Sequence, residues 1–226
     1  MTNNYIVATI KEWHIEQYNK VSPTLSGSWS LINDPNKLTL EYLREIKPTY
    51  IFFPHWSWIV SKEILAEFTC ICFHMTDVPY GRGGSPLQNL ISRGHQTTKL
   101  SALKMTEQFD AGAVYLKAPL SLEGNAQQIF ERSAVLTFEM IKSIITLAPI
   151  PIEQTGNVVI FNRRTPEQSE IKGHETLTEL YDLIRMMDAE SYPKAFIQLG
   201  ELALTFESAK INDQVLNANV TITKNS

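Results

Sequence analysis

The chain has 226 residues, of which 43% are hydrophobic, and a formal net charge of −4. This length allows one large core, or a main domain with an appendage. No stretch approaches the roughly 20 apolar residues of a membrane helix, and the first residues lack a basic segment followed by a long apolar one. We therefore expect a cytoplasmic protein with no membrane partner.

The distribution of charge and the two cysteines further restrict the kinds of protein that this chain could be. Residues 151–226 hold 7 of the 20 Lys and Arg but 11 of the 24 Asp and Glu, so the tail is acidic. An acidic tail is unsuited to wrapping a large polyanion such as tRNA. Cys70 and Cys72 lie in an apolar run, where a strand would point both side chains to one face. We predict no disulfide framework, and no set of residues has metal-ligand spacing.

Short apolar runs alternate with amphipathic stretches in the first half of the chain. The runs that we predict as buried strands are 5–9, 29–32, 50–53 and 68–73. Two stretches between them, 38–46 and 61–68, have helical spacing, with Ser61 as an N-cap. Repetition of strand and helix at this pitch favours a parallel sheet covered on both faces. The predicted fold class is therefore α/β.

The pattern changes after this sheet. The segments 97–105 and 113–122 alternate like strands, and 125–148 is a long amphipathic helix ended by Pro149 and Pro151. We place a domain boundary near 150, which separates a main domain, 1–150, from a small α+β appendage, 151–226. The elements predicted in the appendage are a short strand after 157, a helix over 174–190, and two or three strands with turns near Gly200 and Asn212.

His74 and Asp110 are the first candidates for catalytic residues. His74 follows the predicted strand 68–73, at the end of a parallel sheet where ligands usually bind, and precedes "VPYGRGGSP", whose Pro and Gly predict neither helix nor strand. Asp110 lies in the link between the two later strands. A histidine with an orienting carboxylate can take a proton from an attacking amine. Taken singly, His74 also fits a structural hydrogen-bonding role and Asp110 an Asx-turn.

The order of residues over 68–122 resembles the catalytic core of formyltransferases that use 10-formyltetrahydrofolate. In that family a strand ends Asn-x-His, a loop Leu-Pro-x-x-Arg-Gly-x-x-Pro follows, and Asp-x-Gly closes a later hairpin. Here "VPYGRGGSP" supplies the loop and "DAG", residues 110–112, supplies the hairpin motif. The resemblance implies a Rossmann-like core with a mostly parallel sheet and a small C-terminal β-containing appendage.

The resemblance also implies roles for individual residues. His74 accepts the proton of the substrate amine and Asp110 orients the imidazole, with tetrahydrofolate as product and no metal. Cys72 stands where the family has the asparagine that binds the formyl oxygen, and a thiol is a poorer donor than an amide. Asn89, Thr76 or protonated His74 are alternatives for that role. The residues to which we assign cofactor contacts are His55, Trp56, Arg82, Gly83, Gly84 and Glu107.

Some of these residues have a second interpretation. Arg82 fits loop anchoring as well as ligand contact. Trp56 and Trp58 follow the predicted strand 50–53, where they could enclose a pterin or stack on a uracil or thymine base, or could simply pack.

The nature of the acceptor amine is inferred from the branches of the resembled family. The acidic tail and the absence of a Gly-rich loop after the first strand favour the branch that formylates nucleotide-linked 4-amino-4,6-dideoxy sugars, including pseudaminic acid and lipopolysaccharide precursors. We therefore predict a UDP- or dTDP-sugar N-formyltransferase, a homodimer with no nucleic-acid partner. Substrate contacts are assigned to Thr76, Arg163 and Arg164, although the two arginines also fit a solvated loop. Transfer to another small amine, hydrolysis of the cofactor, and a noncatalytic binding module are the alternatives.

Overall fold

A computed structural model describes residues 3–190 and 192–224, so the outer limits of the predicted domains, 1 and 226, lie outside the described residues. The chain divides into two compact units. Unit 1 comprises 1–83, 99–120 and 131–160, and unit 2 comprises 84–98, 121–130 and 161–226. The functional division at residue 150 into a catalytic domain and an appendage stays a prediction.

Eleven strands and six α-helices form the described part of the chain. The strands are β1 Asn4–Ala8, β2 Ser28–Ile32, β3 Tyr50–Pro54, β4 Cys70–His74, β5 Tyr80–Gly83, β6 Thr97–Lys104, β7 Val114–Ser121, β8 Val159–Phe161, β9 Ala195–Leu199, β10 Leu202–Ile211 and β11 Leu216–Lys224. The helices are α1 Glu12–Val21, α2 Leu40–Ile46, α3 Lys62–Glu67, α4 Pro86–Ile91, α5 Ala126–Leu147 and α6 Leu177–Met187.

Unit 1 is built on a six-stranded sheet with the order β2-β1-β3-β4-β6-β7. Strands β1 to β4 are parallel to one another, and β6 runs antiparallel to β4. The central strands are apolar and buried along their length, as expected when helices cover both faces. The predicted fold class is confirmed: the protein has an α/β Rossmann-like fold with a mostly parallel sheet and a C-terminal antiparallel sheet.

The predicted elements of unit 1 are confirmed to within a few residues at each end. Ser61 caps α3 as expected, because its hydroxyl oxygen accepts a hydrogen bond from the Ile64 N–H at 3.4 Å. Thr39 caps α2 in the same way. Helix α1 was not predicted, since its sequence was interpreted only as the turn after β1.

The segment after His74 corrects the prediction of a stretch without regular structure. Its residues form the short strand β5 and, from Pro86, the helix α4. Strand β5 pairs with β8, and the Val159 N–H donates to the Pro79 carbonyl at 3.1 Å. Proline at the first helical position is compatible with a helix start. The strand was missed because its partner lies far away in the sequence.

Unit 2 contains the antiparallel sheet β11-β10-β9, with α6 packed against β10. The predicted strands, the turn near Gly200 and the helix are confirmed. A capping box fixes the start of α6, because Thr176 and Glu179 bond each other's backbone N–H. Within the described residues, no helix combines the length and the apolar character that crossing a bilayer requires.

Candidate active site

His74 and Asp110 meet in unit 1. His74 is the last residue of β4, and its ring is almost fully buried. Its Nδ1 lies 3.4 Å from the Asp110 Oδ1, and its Nε2 lies 2.7 Å from the Gly81 carbonyl oxygen. Asp110 adopts a left-handed backbone conformation, φ 52°, which aspartate tolerates better than most residues. The structure therefore brings the predicted base and its carboxylate together.

The hydrogen-bond partners of the imidazole indicate which ring nitrogen carries a hydrogen. A carbonyl oxygen only accepts hydrogen bonds, so the contact with Gly81 assigns a hydrogen to Nε2. Nδ1 then faces a carboxylate. Both ring nitrogens of His74 therefore face acceptors. Before Nε2 can take a proton from a substrate amine, the Gly81 contact must open and the ring hydrogen must shift to Nδ1, where the Asp110 carboxylate accepts it.

Asp110 is held by backbone and side-chain donors. The Gly83 N–H donates to its Oδ2 at 2.9 Å. The Gln154 amide nitrogen donates to the carbonyl oxygens of Asp110 and Gly112, each at 2.8 Å. The Gln154 amide oxygen in turn accepts two hydrogen bonds from Arg82, at 2.8 and 3.0 Å. Arg82 thus anchors the loop through Gln154, a residue that sequence reasoning missed because no motif surrounds it.

The surroundings of Gly112 explain why the "DAG" motif ends in glycine. A Cβ built on Gly112 would overlap the Lys104 carbonyl oxygen of β6. Its backbone does not lie in the left-handed region, so the position requires glycine for space rather than for conformation. The hairpin between β6 and β7 closes tightly only with glycine here.

Cys72 lies in β4, opposite Phe53 of β3 and Leu103 of β6. Burial raises the pKa of the Cys72 thiol, and the negative charge of Asp110 raises it further. The side chain is therefore a protonated thiol near the His74–Asp110 pair. This protonation excludes it as a ready nucleophile.

Two other candidates for the missing asparagine's role are engaged elsewhere. Thr76 is fully buried, and its hydroxyl donates to the Gly81 carbonyl at 3.2 Å. Asn89, in unit 2, donates from its amide to three carbonyl oxygens, those of Gly84, Ser85 and Asn162. The predicted substrate contact of Thr76 stays a prediction.

The loop after β3 carries two predicted cofactor residues. His55 has a left-handed backbone, φ 51°, and its ring contacts those of Trp13 and His14. Burial, with the charge of Lys11 second, lowers the pKa of His55 to about 3, so its imidazole is neutral. The Trp56 ring lies 5.8 Å from that of Phe53 and 5.1 Å from that of Trp58. Their role with the cofactor stays a prediction.

The remaining cofactor candidates of unit 1 and unit 2 have distinct surroundings. Glu107 is exposed in the link before Asp110. In unit 2, a Cβ on Gly84 would meet the backbone of Arg163, so the two segments are in close contact.

The predicted substrate arginines also lie in unit 2. Arg163 is exposed, and Arg164 is half-buried with its Nη2 donating to the Gln168 carbonyl. Burial lowers the pKa of Arg164. Their contact with a substrate is not tested by this arrangement.

The chain is similar to known formyltransferases over its whole length. A family model described as the C-terminal domain of methionyl-tRNA formyltransferase matches residues 166–223. The solved structure of methionyl-tRNA formyltransferase from Clostridium thermocellum is 44% identical, with a TM-score of 0.95, and covers 98% of this chain and 99% of its own.

Two further proteins are more distant. Methionyl-tRNA formyltransferase of Wolinella succinogenes is 27% identical over 177 residues, which are 74% of this chain and 57% of that protein. The chain thus spans little more than half the length of this curated relative. HypX from Aquifex aeolicus, solved in complex with tetrahydrofolic acid, has a TM-score of 0.76 at 14% identity and covers 93% of this chain and 38% of its own, which shows the fold alone.

These comparisons correct the predicted acceptor. The prediction of a sugar N-formyltransferase acting on a nucleotide-linked sugar for pseudaminic acid or lipopolysaccharide is wrong, and so is the expectation of no nucleic-acid partner. The expected homodimer is not tested by these comparisons and stays a prediction. The acidic tail misled the prediction, because the net charge of a segment does not report how its individual cations are arranged.

Proposed function

Because this chain belongs to the formyltransferase family that includes the methionyl-tRNA formyltransferases, we propose that it transfers a formyl group from 10-formyltetrahydrofolate to the amino group of methionyl-tRNA. The observation that carries the proposal is the His74–Asp110 pair at the carboxyl end of β4, in a chain with a relative 44% identical over nearly its full length. The names of the similar proteins support the acceptor.

The residues near Asp110 fit a folate. Phe109 is 70% exposed and offers an aromatic surface, and the neighbouring Glu107 offers a carboxylate to ring N–H donors. The glycines of β5 let backbone approach a flat ligand closely. When bound, 10-formyltetrahydrofolate supplies the formyl carbon. We assign its contacts to this loop, together with Arg82 and Gly83.

The proton chemistry belongs to His74. The acceptor amine attacks while neutral and becomes cationic as its bond to the formyl carbon forms, so a base must remove its proton. In our proposal the neutral imidazole of His74 carries its hydrogen on Nδ1, facing Asp110, and Nε2, released from the Gly81 carbonyl, takes the amine proton. Asp110 stabilises the resulting imidazolium, which can return the proton to the tetrahydrofolate that leaves. Gln154 and the Gly83 N–H keep Asp110 in place.

The test is transfer of a formyl group by the purified chain. Methionyl-tRNA is incubated with 10-formyltetrahydrofolate, and mass spectrometry follows the gain of one CO on the methionyl group. We expect H74N to lower the rate by about 100- to 10,000-fold, the usual contribution of a general base. H174N, which changes an exposed histidine of unit 2, should not.

Two results would count against the proposal. A folded parent protein that leaves methionyl-tRNA unchanged would reject the acceptor. Transfer that proceeds at the parent rate in H74N would reject the assigned base.

A further inference from the structure

A buried carbonyl oxygen in unit 1, that of Gly81 in β5, has two hydrogen-bond partners at once. The Nε2 of His74 lies 2.7 Å from it, and the Thr76 hydroxyl donates to it at 3.2 Å. Gly81 is buried and Thr76 is fully buried. Because a carbonyl oxygen has two lone pairs, both donors can share it. The mechanism above uses the His74 contact and gives the Thr76 contact no role.

The position of Thr76 is fixed by a neighbouring strand. In the antiparallel register of the sheet, Ser101 of β6 lies opposite His74, the last residue of β4. The buried Ser101 hydroxyl donates to the Thr76 carbonyl oxygen at 2.6 Å, two residues beyond the end of β4. This bond ties the Thr76 backbone to β6 and so holds its hydroxyl within reach of Gly81.

The loop between β4 and β5 is also held from its outer side. Lys117 of β7 donates to the Asp77 carboxylate and to the Val78 carbonyl oxygen, each at 2.5 Å. A loop that is held on both sides has little freedom to carry the Gly81 carbonyl out to water when His74 leaves it. A buried acceptor without a partner is costly, so the carbonyl then needs a donor from within the protein.

We propose that Thr76 is a positioning residue: its hydroxyl stays on the Gly81 carbonyl when His74 leaves, which frees the imidazole to take the amine proton. The inference rests on the proposed function and gives Thr76 a part in it that requires no contact with a substrate. Without that hydroxyl, opening the His74–Gly81 contact leaves a buried acceptor with no donor. The closed contact is then favoured by roughly a further 10-fold, and His74 is available less often.

The first test measures single-turnover formylation of methionyl-tRNA by T76V, which removes the hydroxyl and nearly preserves the shape of the side chain. We expect the maximal rate to fall roughly 10-fold, and the half-saturating concentrations of methionyl-tRNA and 10-formyltetrahydrofolate to stay at the parent values. T76S, which keeps a hydroxyl, should restore most of the rate. The matched control is T137V in α5, because Thr137 is 1% exposed and its hydroxyl has no hydrogen-bond partner among the described residues. T137V should react at the parent rate.

Ser101 offers a second variant that leaves the Thr76 hydroxyl in place. S101A removes the bond that holds the Thr76 backbone, and we expect the maximal rate to fall about 3-fold, the effect of one neutral hydrogen bond. Because Ser101 acts through Thr76, the double variant S101A/T76V should be no slower than T76V alone. Circular dichroism shows that each variant is folded before its rate is compared.

The second test requires no turnover. NMR of the ¹⁵N-labelled protein follows exchange of the His74 Nε2 hydrogen with water, and the loss of this signal in H74N assigns it. The exchange rate reports how often the Gly81 contact opens. We expect exchange to be about 10-fold slower in T76V than in the parent, and unchanged in T76S and T137V. Because no substrate is present, this result stands even if methionyl-tRNA is not formylated and the proposed function fails.

Three results would overturn the inference. In the first, the Nε2 hydrogen of T76V exchanges at the parent rate, so the hydroxyl does not control the Gly81 contact. In the second, T76V keeps the maximal rate and the half-saturating concentration of a substrate rises, which makes Thr76 a substrate contact. In the third, T137V loses as much rate as T76V, so the loss follows from changing any buried threonine, and the proposed function holds while the positioning role fails.

Discussion

Cys72 stands two residues before His74, where the resembled formyltransferases carry an asparagine. A thiol with a raised pKa stays protonated and donates only a weak hydrogen bond, whereas an amide at the same point would donate a strong one. If the formyl oxygen gains negative charge near Cys72, C72N should raise kcat, by up to about 100-fold, the lower end of what one oxyanion donor contributes. Single-turnover formylation of methionyl-tRNA measures this rate directly.

The control for C72N is C70A, which changes the other cysteine of β4, a buried residue two positions further from His74. C70A should lower stability and leave kcat near the parent value. A folded C72N protein whose kcat falls would show that another group already holds the oxyanion and that the thiol is there for packing.

At the scale of elements, the hairpin of β6 and β7 depends on Gly112. G112A would drive a methyl group into the Lys104 carbonyl, and the backbone of β6 cannot yield as a flexible side chain would. We expect G112A to lower the free energy of unfolding by about 2 kcal/mol or more, in the range of overpacking changes. Urea unfolding followed by circular dichroism measures it.

G94A is the matched control. Gly94 has φ 78°, a left-handed backbone conformation that is unfavourable for alanine, but a Cβ at this position would meet no atom within 4 Å. The expected cost of G94A is only about 1 kcal/mol. Equal losses for the two variants would mean that the hairpin relaxes around the methyl group, and that space is not what requires glycine in the motif.

The elements that could be predicted from the sequence are those whose signals are local. Apolar runs gave β1 to β4 and amphipathic spacing gave α2, α3 and α5, because each pattern lies within the element itself. Strand β5 forms by pairing with β8, which lies about 75 residues later in the sequence, so no local pattern predicts it. The His74–Asp110 pair could be proposed from a motif, whereas Gln154 reaches Asp110 only through the fold. The acceptor was mispredicted from net charge, which carries no information on where cations sit.

At the scale of the whole molecule, we expect buried His14 and half-buried His55 to make the folded state sensitive to acid. Burial, with His55 second, holds the pKa of His14 well below its ordinary value, and burial, with Lys11 second, lowers the pKa of His55 to about 3. The unfolded chain takes up protons at both sites once the pH falls below about 6.5, and the folded chain does not. Stability is therefore fully present above that pH and is lost as the pH falls toward 3.

The size of this loss of stability follows from the number of protons that the unfolded chain binds in excess of the folded chain. Each histidine that stays neutral only in the folded state contributes a slope of up to about 1.4 kcal/mol per pH unit to the free energy of unfolding. Carboxyls with lowered pKa values, such as Asp77 and Asp188, add their own loss only near and below about pH 4. Urea unfolding between about pH 6.5 and 4.5 therefore isolates the histidines.

H14F tests whether this acid sensitivity comes from His14 and His55. Phenylalanine removes one titrating group from a site that is 3% exposed, so the slope of unfolding free energy against pH should fall by about half when two histidines carry it. F138L, a buried change in α5 with no titrating group, should lower stability by the same amount at every pH. If H14F leaves the slope of the unfolding free energy against pH unchanged, the acid sensitivity comes from other groups. If the parent protein shows no such slope in this pH window, water reaches both imidazoles in the folded state.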